Sequence, residues 1–223
     1  MSLPITRPAQ CQSVVEAVRI DFFSYAACVL EKSAIVIMAF CLRCGHPTHL
    51  SIPEGDSRRR AVCNHCDYIH YENPNIICGT LALWHGKVLL CRRAIEPRYG
   101  FWTLPAGFME IGETIEAGAA RETWEEAEGR VSQQQLYCIY NIPRIGQVYM
   151  LFKCDLDDGV FGVGSESLEC ALFDEADIPW GELAFHSIER TLRHYYADRK
   201  ANPSLDPLPQ HLETIGPTDS TAG

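Results

Sequence analysis

Three glutamates stand at a spacing that could bring their carboxylates onto one side of a helix. Glu122, Glu125 and Glu126 are related as i, i+3 and i+4. Neighbouring anions repel one another, but divalent cations between them would reverse that balance, and hard oxygen ligands suit Mg²⁺ or Mn²⁺. Mg²⁺ held by few carboxylates keeps waters and reaches substrate phosphates, as metal-assisted phosphoryl chemistry requires. Without further context, a solvated charged helix face with Arg121 pairing locally would be the better interpretation.

Two pairs of cysteines form a second candidate metal site. Cys41-x2-Cys44 and Cys63-x2-Cys66 are separated by 18 residues, the spacing of a four-cysteine zinc ribbon. Each pair can direct two thiolates at a tetrahedral ion, and four thiolates leave no open position, so we expect a structural Zn²⁺. Two disulfides or four idle thiols are the alternatives. Four neighbouring histidines are expected to be solvated rather than ligands: His46, His49, His65 and His70.

Composition limits the class of protein. The 223 residues allow one full domain and a small module, with 47% hydrophobic and 22% charged residues. A net charge of −10 argues weakly against nonspecific binding of nucleic acid. No apolar run reaches the roughly 18 to 20 residues of a membrane span. Eleven cysteines without a convincing signal peptide predict a cytoplasmic protein with reduced thiols.

The chain divides into four regions by composition. Residues 1–37 carry no clear motif, and either translation starts at Met38 or an amphipathic helix lies around Val14 to Leu30. The other regions are the cysteine module over 38–72, a larger domain over 76–200, and a tail over 201–223 that is rich in Pro, Thr and Ser and reads as flexible. A short linker with a turn-forming Asn-Pro, residues 71–75, joins the module to the domain.

The elements of the larger domain alternate between strands and helices. Strands are predicted over 76–83 and 87–91, around a His85-Gly86 turn, and over 135–140, 148–155 and 168–173. Helices are predicted over 114–127, which carries the glutamates, and over 182–199. This order indicates a layered α/β domain. Five further cysteines in strand-like runs are expected to be small buried hydrophobes: Cys78, Cys91, Cys138, Cys154 and Cys170.

The acidic stretch resembles the Nudix box, G-x5-E-x7-R-E-U-x-E-E-x-G-U, where U is a bulky aliphatic residue. The matching positions are Gly107, Glu113, Arg121, Glu122, Glu125 and Glu126. Thr123 replaces the aliphatic residue, and Glu128 and Gly129 depart from the final Gly-aliphatic pair, which puts the helix C-cap in doubt. Residues 102–107 are similar to the W-x-L-P-G-G lead-in, with Ala106 for one Gly. The resemblance implies a Nudix-type α/β/α sandwich with a mixed sheet, preceded by a small zinc ribbon.

The resemblance also implies roles for individual residues. The three glutamates would bind Mg²⁺ (or Mn²⁺), and the Ala106 carbonyl could complete the shell. Arg121 would orient Glu122, and Glu113 would support the loop. In this family a general base often comes from a later loop, where Glu166 or Glu169 could supply it.

Similarity over roughly residues 40–196 extends to a zinc-ribbon Nudix subgroup that includes ADP-ribose/FAD diphosphatases. It rests on the ribbon, the linker and the segments 89–93, 146–149, 165–170 and 183–185. The implied substrate is FAD or ADP-ribose. Arg92 and Arg93 could meet phosphate oxygens, and Tyr99, Phe101 and Trp102 could stack on a ring, although Trp102 could equally be core and one arginine merely exposed.

Two other functions stay open. NADH pyrophosphatases and NAD-cap hydrolases also join a zinc ribbon to a Nudix domain, but their S-Q-P-W-P-F-P segment has no counterpart over 132–149. A non-catalytic nucleotide-sensing regulator would often lack metal-binding glutamates, and all three are present. The expected partner is a nucleotide small-molecule substrate, with no nucleic acid and no membrane. A homodimer is a further expectation, although the sequence fixes no interface.

Overall fold

The computed structural model describes residues 39–216, and the predictions for residues 1–37, for Met38 and for Val14 to Leu30 fall outside them. The cysteine module is a three-stranded antiparallel sheet of strands β1 (Thr48–Ser51), β2 (Arg60–Cys63) and β3 (Ile69–His70). The first cysteine pair precedes β1, and the second begins at the last residue of β2. A small sheet thus fixes the separation of the two pairs.

The larger domain is built on one eight-stranded mixed sheet. Its strands are β4 (Asn75–Trp84), β5 (Lys87–Arg93), β6 (Trp102–Thr103), β7 (Ala106–Phe108), β8 (Val131–Ile142), β9 (Gln147–Leu156), β10 (Ser167–Phe173) and β11 (His211–Thr214). The order is β10-β5-β4-β9-β8-β11, with β6 beside β5 and β7 beside β4. The pairs β4–β9 and β8–β11 are parallel and the remaining pairs are antiparallel.

The predicted β4–β5 hairpin is confirmed. His85 and Gly86 form its turn, and both have positive φ angles, 49° and 81°. Two consecutive residues with positive φ are the geometry of a two-residue turn that matches the twist of the strands. At the other end of β4, the Ile76 carbonyl accepts a hydrogen bond from the Met109 N–H at 3.0 Å, which places the start of this strand beside the loop that leads into the acidic helix.

Two helices cover opposite faces of this sheet. Helix α1 (Ile115–Ala127) begins after Thr114, whose side chain accepts a hydrogen bond from the Ala117 N–H, and helix α2 spans His186–Ala201. Leu81 of β4 packs in the cluster that contains the buried face of α2, while the next residue, Ala82, packs in a cluster with Ala127 of α1. This alternation is what a strand buried on both faces requires. The predicted α/β/α sandwich with a mixed sheet is therefore confirmed.

The start of the second helix was predicted too early. A 3-10 turn occupies Trp180–Glu182, Leu183 bridges to Trp102, and Phe185 has extended backbone angles, so the helix begins at His186 rather than at residue 182. Periodicity alone does not show where a chain leaves the sheet to begin a helix. As a result, the first turn of α2 belongs to the rim of a cavity.

The prediction of a flexible tail over 201–223 is wrong for the part that the structure describes. Residues 211–214 form β11, which pairs in parallel with β8, and Ile215 donates its N–H to the Asn141 carbonyl at 2.9 Å. The Pro-rich composition hid a strand of only four residues, too short to show a period.

Four of the five strand cysteines are buried, as predicted, and the fifth, Cys170, is only half-buried. Within residues 39–216, no helix is both long and apolar enough to cross a bilayer. The region boundaries proposed from composition stay predictions.

Candidate functional site

Helix α1 presents its three glutamates in two different environments. Glu122 and Glu126 are buried, 9% and 7% exposed, whereas the Glu125 side chain is half-exposed. Gly107 lies against the Glu122 carboxylate so closely that a Cβ at that position would overlap it. A side chain at position 107 would therefore displace the Glu122 carboxylate, and glycine leaves it in place.

Arg121 ties the loop before α1 to the glutamates. Its guanidinium donates to both Glu113 carboxylate oxygens at 3.0 and 2.8 Å, to Glu122 at 2.7 Å and to Glu125 at 2.9 Å. It also donates to the Phe108 carbonyl at 3.1 Å. These hydrogen bonds from Arg121, with one from the Glu110 N–H, lower the pKa of Glu113 to about 2. Arg121 thus holds the shape of the site through charge-assisted hydrogen bonds.

Glu126 is the least satisfied group of the site. Its Oε2 atom is buried without a hydrogen-bond partner among residues 39–216. Burial, followed by the charge of Glu122, raises the pKa of Glu126 to about 8, although Arg93 and the Ala106 backbone N–H act in the opposite direction. Burial also raises the pKa of Glu122. A buried carboxylate oxygen without a partner is unfavourable unless a cation approaches it, so the donor set fits a hard divalent ion.

The departures from the motif have local explanations. The Thr123 hydroxyl is buried and donates to the Ala119 carbonyl at 2.8 Å, and it lies 2.7 Å from the Thr80 hydroxyl of β4. The missing aliphatic side chain is thus replaced by a paired polar contact between helix and sheet. Glu128 takes the left-handed C-cap position at φ 49° and donates its N–H to the Trp124 carbonyl, so the cap forms without glycine.

A cavity of about 740 Å³ opens above the acidic helix. Its walls include the three glutamates, Arg121 and Ala106, all predicted site residues. They also include Arg93 and Glu166. The apolar part is formed by Phe108, Ile142, Ile145, Tyr149, Phe185 and Ile215. One wall can thus hold cations and phosphates, and the other can accept an apolar ring.

Five residues that were predicted to contact the substrate or to act as the base do not line this cavity: Trp102, Arg92, Glu169, Tyr99 and Phe101. Trp102 is 7% exposed and packs edge-on against Phe173 at 4.9 Å, so it belongs to the core and the stacking role is wrong. Arg92 donates to the Gly100 carbonyl at 2.9 Å and lies 3.9 Å from Glu169. Successive residues of a strand point to opposite faces, so of the two arginines on β5 only Arg93 reaches the cavity.

Glu166 and Glu169 are separated in the same way. Glu166 lies in the segment before β10 and lines the cavity. Burial is the main cause of the raised pKa of Glu122 and Glu126, and the charge of Glu166 adds to it. Glu169 faces Arg92 across the β10–β5 pair. Of the two glutamates predicted as the base, Glu166 lines the cavity and Glu169 does not.

Several cavity residues were not found from the sequence. Tyr149 and Phe185 lie in segments that supported the family resemblance, yet no role was assigned to them. Tyr99 and Phe101, which were considered for stacking, are not among the lining residues. Ile215 follows β11 in a segment whose composition gave no signal.

The four ribbon cysteines form a compact cluster. Their sulfur atoms all lie within 4.8 Å of one another, with Cys41 to Cys66 at 3.7 Å and Cys44 to Cys63 at 3.4 Å. A tetrahedral Zn²⁺ with Zn–S bonds of about 2.3 Å requires sulfur separations of about 3.8 Å. Although desolvation acts in the opposite direction, backbone N–H groups of Cys66 and His65 lower the pKa of Cys63 to about 6. The donor set fits a structural zinc ion.

Known proteins match both regions. A family model described as "NUDIX domain" matches residues 78–192, and one described as "Nudix N-terminal" matches residues 39–72. The crystal structure of a NUDIX hydrolase from Nitrosomonas europaea is 49% identical, with a TM-score of 0.75, and the match covers 80% of this chain and 99% of that one.

Curated relatives match over a shorter stretch. Two proteins named NAD-capped RNA hydrolase NudC are each 34% identical over 121 residues. They come from Yersinia pestis (strain Pestoides F) and Yersinia pseudotuberculosis serotype O:1b (strain IP 31758). The match covers 54% of this chain and 44% of each relative, so it spans less than half of their length.

Proposed function

This chain belongs to the Nudix family, and we propose that it hydrolyses the diphosphate linkage of nucleoside-diphosphate derivatives, with FAD and ADP-ribose as substrates. AMP would be released from both, together with FMN or ribose 5-phosphate. The observation that carries the proposal is a buried carboxylate oxygen of Glu126, in the wall of the 740 Å³ cavity, that has no hydrogen-bond partner among residues 39–216. A cation drawn to that oxygen would lie in a space large enough for a dinucleotide.

Glu122, Glu125 and Glu126, with the Ala106 carbonyl, would hold Mg²⁺, or Mn²⁺ in its place. Bound there, the ion would polarise the phosphate and lower the pKa of a water molecule. Arg121 now bridges Glu122 and Glu125, and the half-exposed Glu125 is the carboxylate that can leave this contact most readily. Arg121 would then keep Glu122 oriented through its remaining bonds to Glu113.

Glu166 would accept the proton of the attacking water. It is the one predicted base that lines the cavity, and its carboxylate acts on both buried glutamates. The apolar wall around Tyr149 and Phe185 would accept an adenine or flavin ring, because planar rings gain most from aromatic contacts. The ribbon would carry Zn²⁺ on its four cysteines as a structural ion.

A second candidate function is hydrolysis of NADH or of an NAD cap on RNA. The observation that favours it is the match to NAD-capped RNA hydrolases at 34% identity. FAD, ADP-ribose and NADH all contain an adenosine diphosphate half, so the buried glutamates alone do not separate them. The chemistry is the same in both candidates, and only the group beyond the diphosphate differs.

The experiment is a hydrolysis panel of FAD, ADP-ribose, NADH, an NAD-capped oligonucleotide and a nucleoside triphosphate with Mg²⁺. We expect AMP from FAD and ADP-ribose, and a loss on the order of 10²- to 10³-fold in Glu125→Gln, because a transition-state charge contact is removed. Glu116→Gln is the matched control, since Glu116 is an exposed carboxylate of the same helix outside the cavity. Preference for NADH or the capped RNA would replace the substrate. Nucleotide binding without turnover would indicate a regulator.

A further inference from the structure

Helix α2 starts at the cavity without a side-chain cap. Its N-cap residue is Phe185, which offers no oxygen to the first turn. Phe185, His186, Ser187 and Ile188 all line the cavity. The backbone N–H groups of His186 and Ser187 donate to no acceptor among residues 39–216. A 16-residue helix therefore presents its positive end and two unused donors at the cavity wall.

A second observation at the same place concerns the Ser187 side chain. Ser187 is only 2% exposed, and its hydroxyl has no hydrogen-bond partner among the described residues. One turn later, Thr191 is equally buried, but its hydroxyl donates to the Ser187 carbonyl at 2.8 Å and lies 3.1 Å from the Tyr140 hydroxyl. Buried hydroxyls are normally satisfied in this way. An unpartnered hydroxyl beside an uncapped helix end indicates that an acceptor arrives with a ligand.

The surrounding charges favour an anion. The Arg93 guanidinium lies 5.2 Å from the centre of the Phe185 ring and also lines the cavity. The one acidic residue in the first turn, Glu189, has its carboxylate paired with Arg193 at 2.7 Å and lies 3.9 Å from His186. A cation and a helix N-terminus thus lie together at the cavity, and the acid of that first turn, Glu189, is engaged by another arginine.

We propose that the first turn of α2, through Ser187 and the backbone N–H groups of His186 and Ser187, together with Arg93, binds the phosphate that leaves on hydrolysis. This inference rests on the proposed function. In that reaction water adds to one phosphorus, the bond from that phosphorus to the bridging oxygen breaks, and the electron pair stays on the bridging oxygen. The water proton passes to the base, and the other phosphate departs as a monoester. Donors fixed at that phosphate would stabilise the negative charge that it gains.

In this proposal the two helices bind different phosphates of the diphosphate. The glutamates of α1 would hold the phosphate that is attacked, and α2 would hold the phosphate that departs. Arg93 suits the position between them, because its charge acts on the Glu126 carboxyl as well.

The test compares Ser187→Ala with Ser132→Ala, a serine of β8 whose hydroxyl donates to Asp157 away from the cavity. Removing an unpartnered hydroxyl leaves nothing unsatisfied, so the melting temperature of Ser187→Ala should stay the same or rise. We expect kcat/KM for ADP-ribose to fall about tenfold, the loss of one hydrogen bond to a charged group. In protein freed of divalent ions, inorganic phosphate should raise the melting temperature of the wild type, and Ser187→Ala should need about tenfold more phosphate for the same shift.

These measurements distinguish failure of the phosphate site from failure of the proposed function. Unchanged kcat/KM and unchanged phosphate dependence in Ser187→Ala would overturn the inference. A wild type that turns over no dinucleotide, but whose phosphate protection weakens in Ser187→Ala, would remove the proposed reaction and keep the anion site. If Ser187→Ala lost activity but phosphate still raised its melting temperature as in the wild type, Ser187 would affect catalysis without binding the phosphate. That result would also overturn the inference.

Discussion

The cysteine cluster and the acidic face of α1 are two candidate metal sites that differ in the arrangement of their ligand atoms. The four ribbon sulfurs already lie within 4.8 Å of one another. Among residues 39–216, no group of three or more carboxylate oxygens reaches that spacing, and Arg121 lies between Glu122 and Glu125. A closed donor set suits an ion that stays, whereas an open set leaves room for water and substrate around the ion.

Local backbone contacts position the cysteines, whereas tertiary contacts position the glutamates. Each CxxC turn fixes the sulfur of its first cysteine with a backbone N–H group: Arg43 donates to Cys41 at 3.3 Å, and His65 donates to Cys63 at 3.4 Å. The buried glutamates depend instead on residues of the sheet: Arg93 of β5 acts on Glu126 through its charge, and Gly107 of β7 lies against the Glu122 carboxylate. Metal binding by the ribbon should therefore be sensitive mainly to substitution of its own cysteines. Metal binding by the acidic site should also be sensitive to substitution of the residues around it.

The largest expected effect is the loss of zinc from Cys63→Ala. A structural zinc site contributes roughly 10 to 16 kcal/mol of apparent binding free energy, and three thiolates cannot close the tetrahedron. Zinc content by native mass spectrometry should fall from one ion per chain to none, and amide exchange over residues 48–70 should accelerate. Because the acidic site is built separately, Mg²⁺-dependent turnover per folded domain should persist.

The matched control for that experiment is Cys154→Ala, a buried cysteine of β9 in the core of the larger domain. It should keep its zinc and lose only packing energy. Full zinc content in Cys63→Ala would show that the cysteines do not form the site. It would also contradict the comparison between a closed ligand set in the ribbon and an open one on the acidic face.

A smaller effect is expected from pH on the acidic site. The pKa of Glu126 is raised from 4.5 to about 8 in the folded protein, so the folded state binds the proton more tightly than the unfolded chain does. Without divalent ions, stability should therefore fall as pH rises from about 4.5 to about 8, by at most about 1.4 kcal/mol per pH unit. Urea unfolding at a series of pH values measures this directly.

Glu126→Gln should remove the part of that pH dependence that comes from Glu126, since the amide does not titrate, and leave the part from Glu122, whose pKa is also raised by burial. In the wild type, Mg²⁺ should oppose the fall, because it binds the ionised carboxylate. A pH profile shared by the wild type and Glu126→Gln would contradict the assignment of the buried proton to Glu126. It would also contradict the interpretation that Glu126 ionises when a cation binds.

The same contrast explains how much could be predicted from the sequence. The CxxC pairs and the glutamates at i, i+3 and i+4 encode their geometry in local spacing, and the structure places both sets as that spacing requires. The choice between Arg92 and Arg93 depends on the pleat of β5, and that between Glu166 and Glu169 on the register of β10 against β5. A one-residue shift reverses such an assignment, so the adjacent arginines could not be separated without the sheet.

Long-range contacts account for the remaining differences. Trp102 was considered for stacking with its aromatic neighbours Tyr99 and Phe101, or equally for the core, and its pairing with β5 places it in the core. Ile215 reaches the cavity only because β11 adds to the edge of β8, and His211 and Glu213 fasten that strand to Asp198 and His194 at 2.7 Å each. A four-residue strand has no local sequence pattern that predicts such contacts.

The smallest expected effect concerns the imidazoles beside the ribbon site. His46 and His65 stack at 4.0 Å, and together with Cys44 they form a second group of donors close enough to hold an ion. The four sulfurs already supply a complete tetrahedral set, and both imidazoles are exposed, so His46→Ala and His65→Ala should keep zinc content and turnover within experimental error. Competition with a chelator gives the sharper readout, because it reports affinity rather than occupancy. A zinc affinity that drops tenfold or more in either variant would mean that the imidazoles share the ion. The ribbon would then be a mixed and partly open site, closer in kind to the acidic face than its four cysteines indicate.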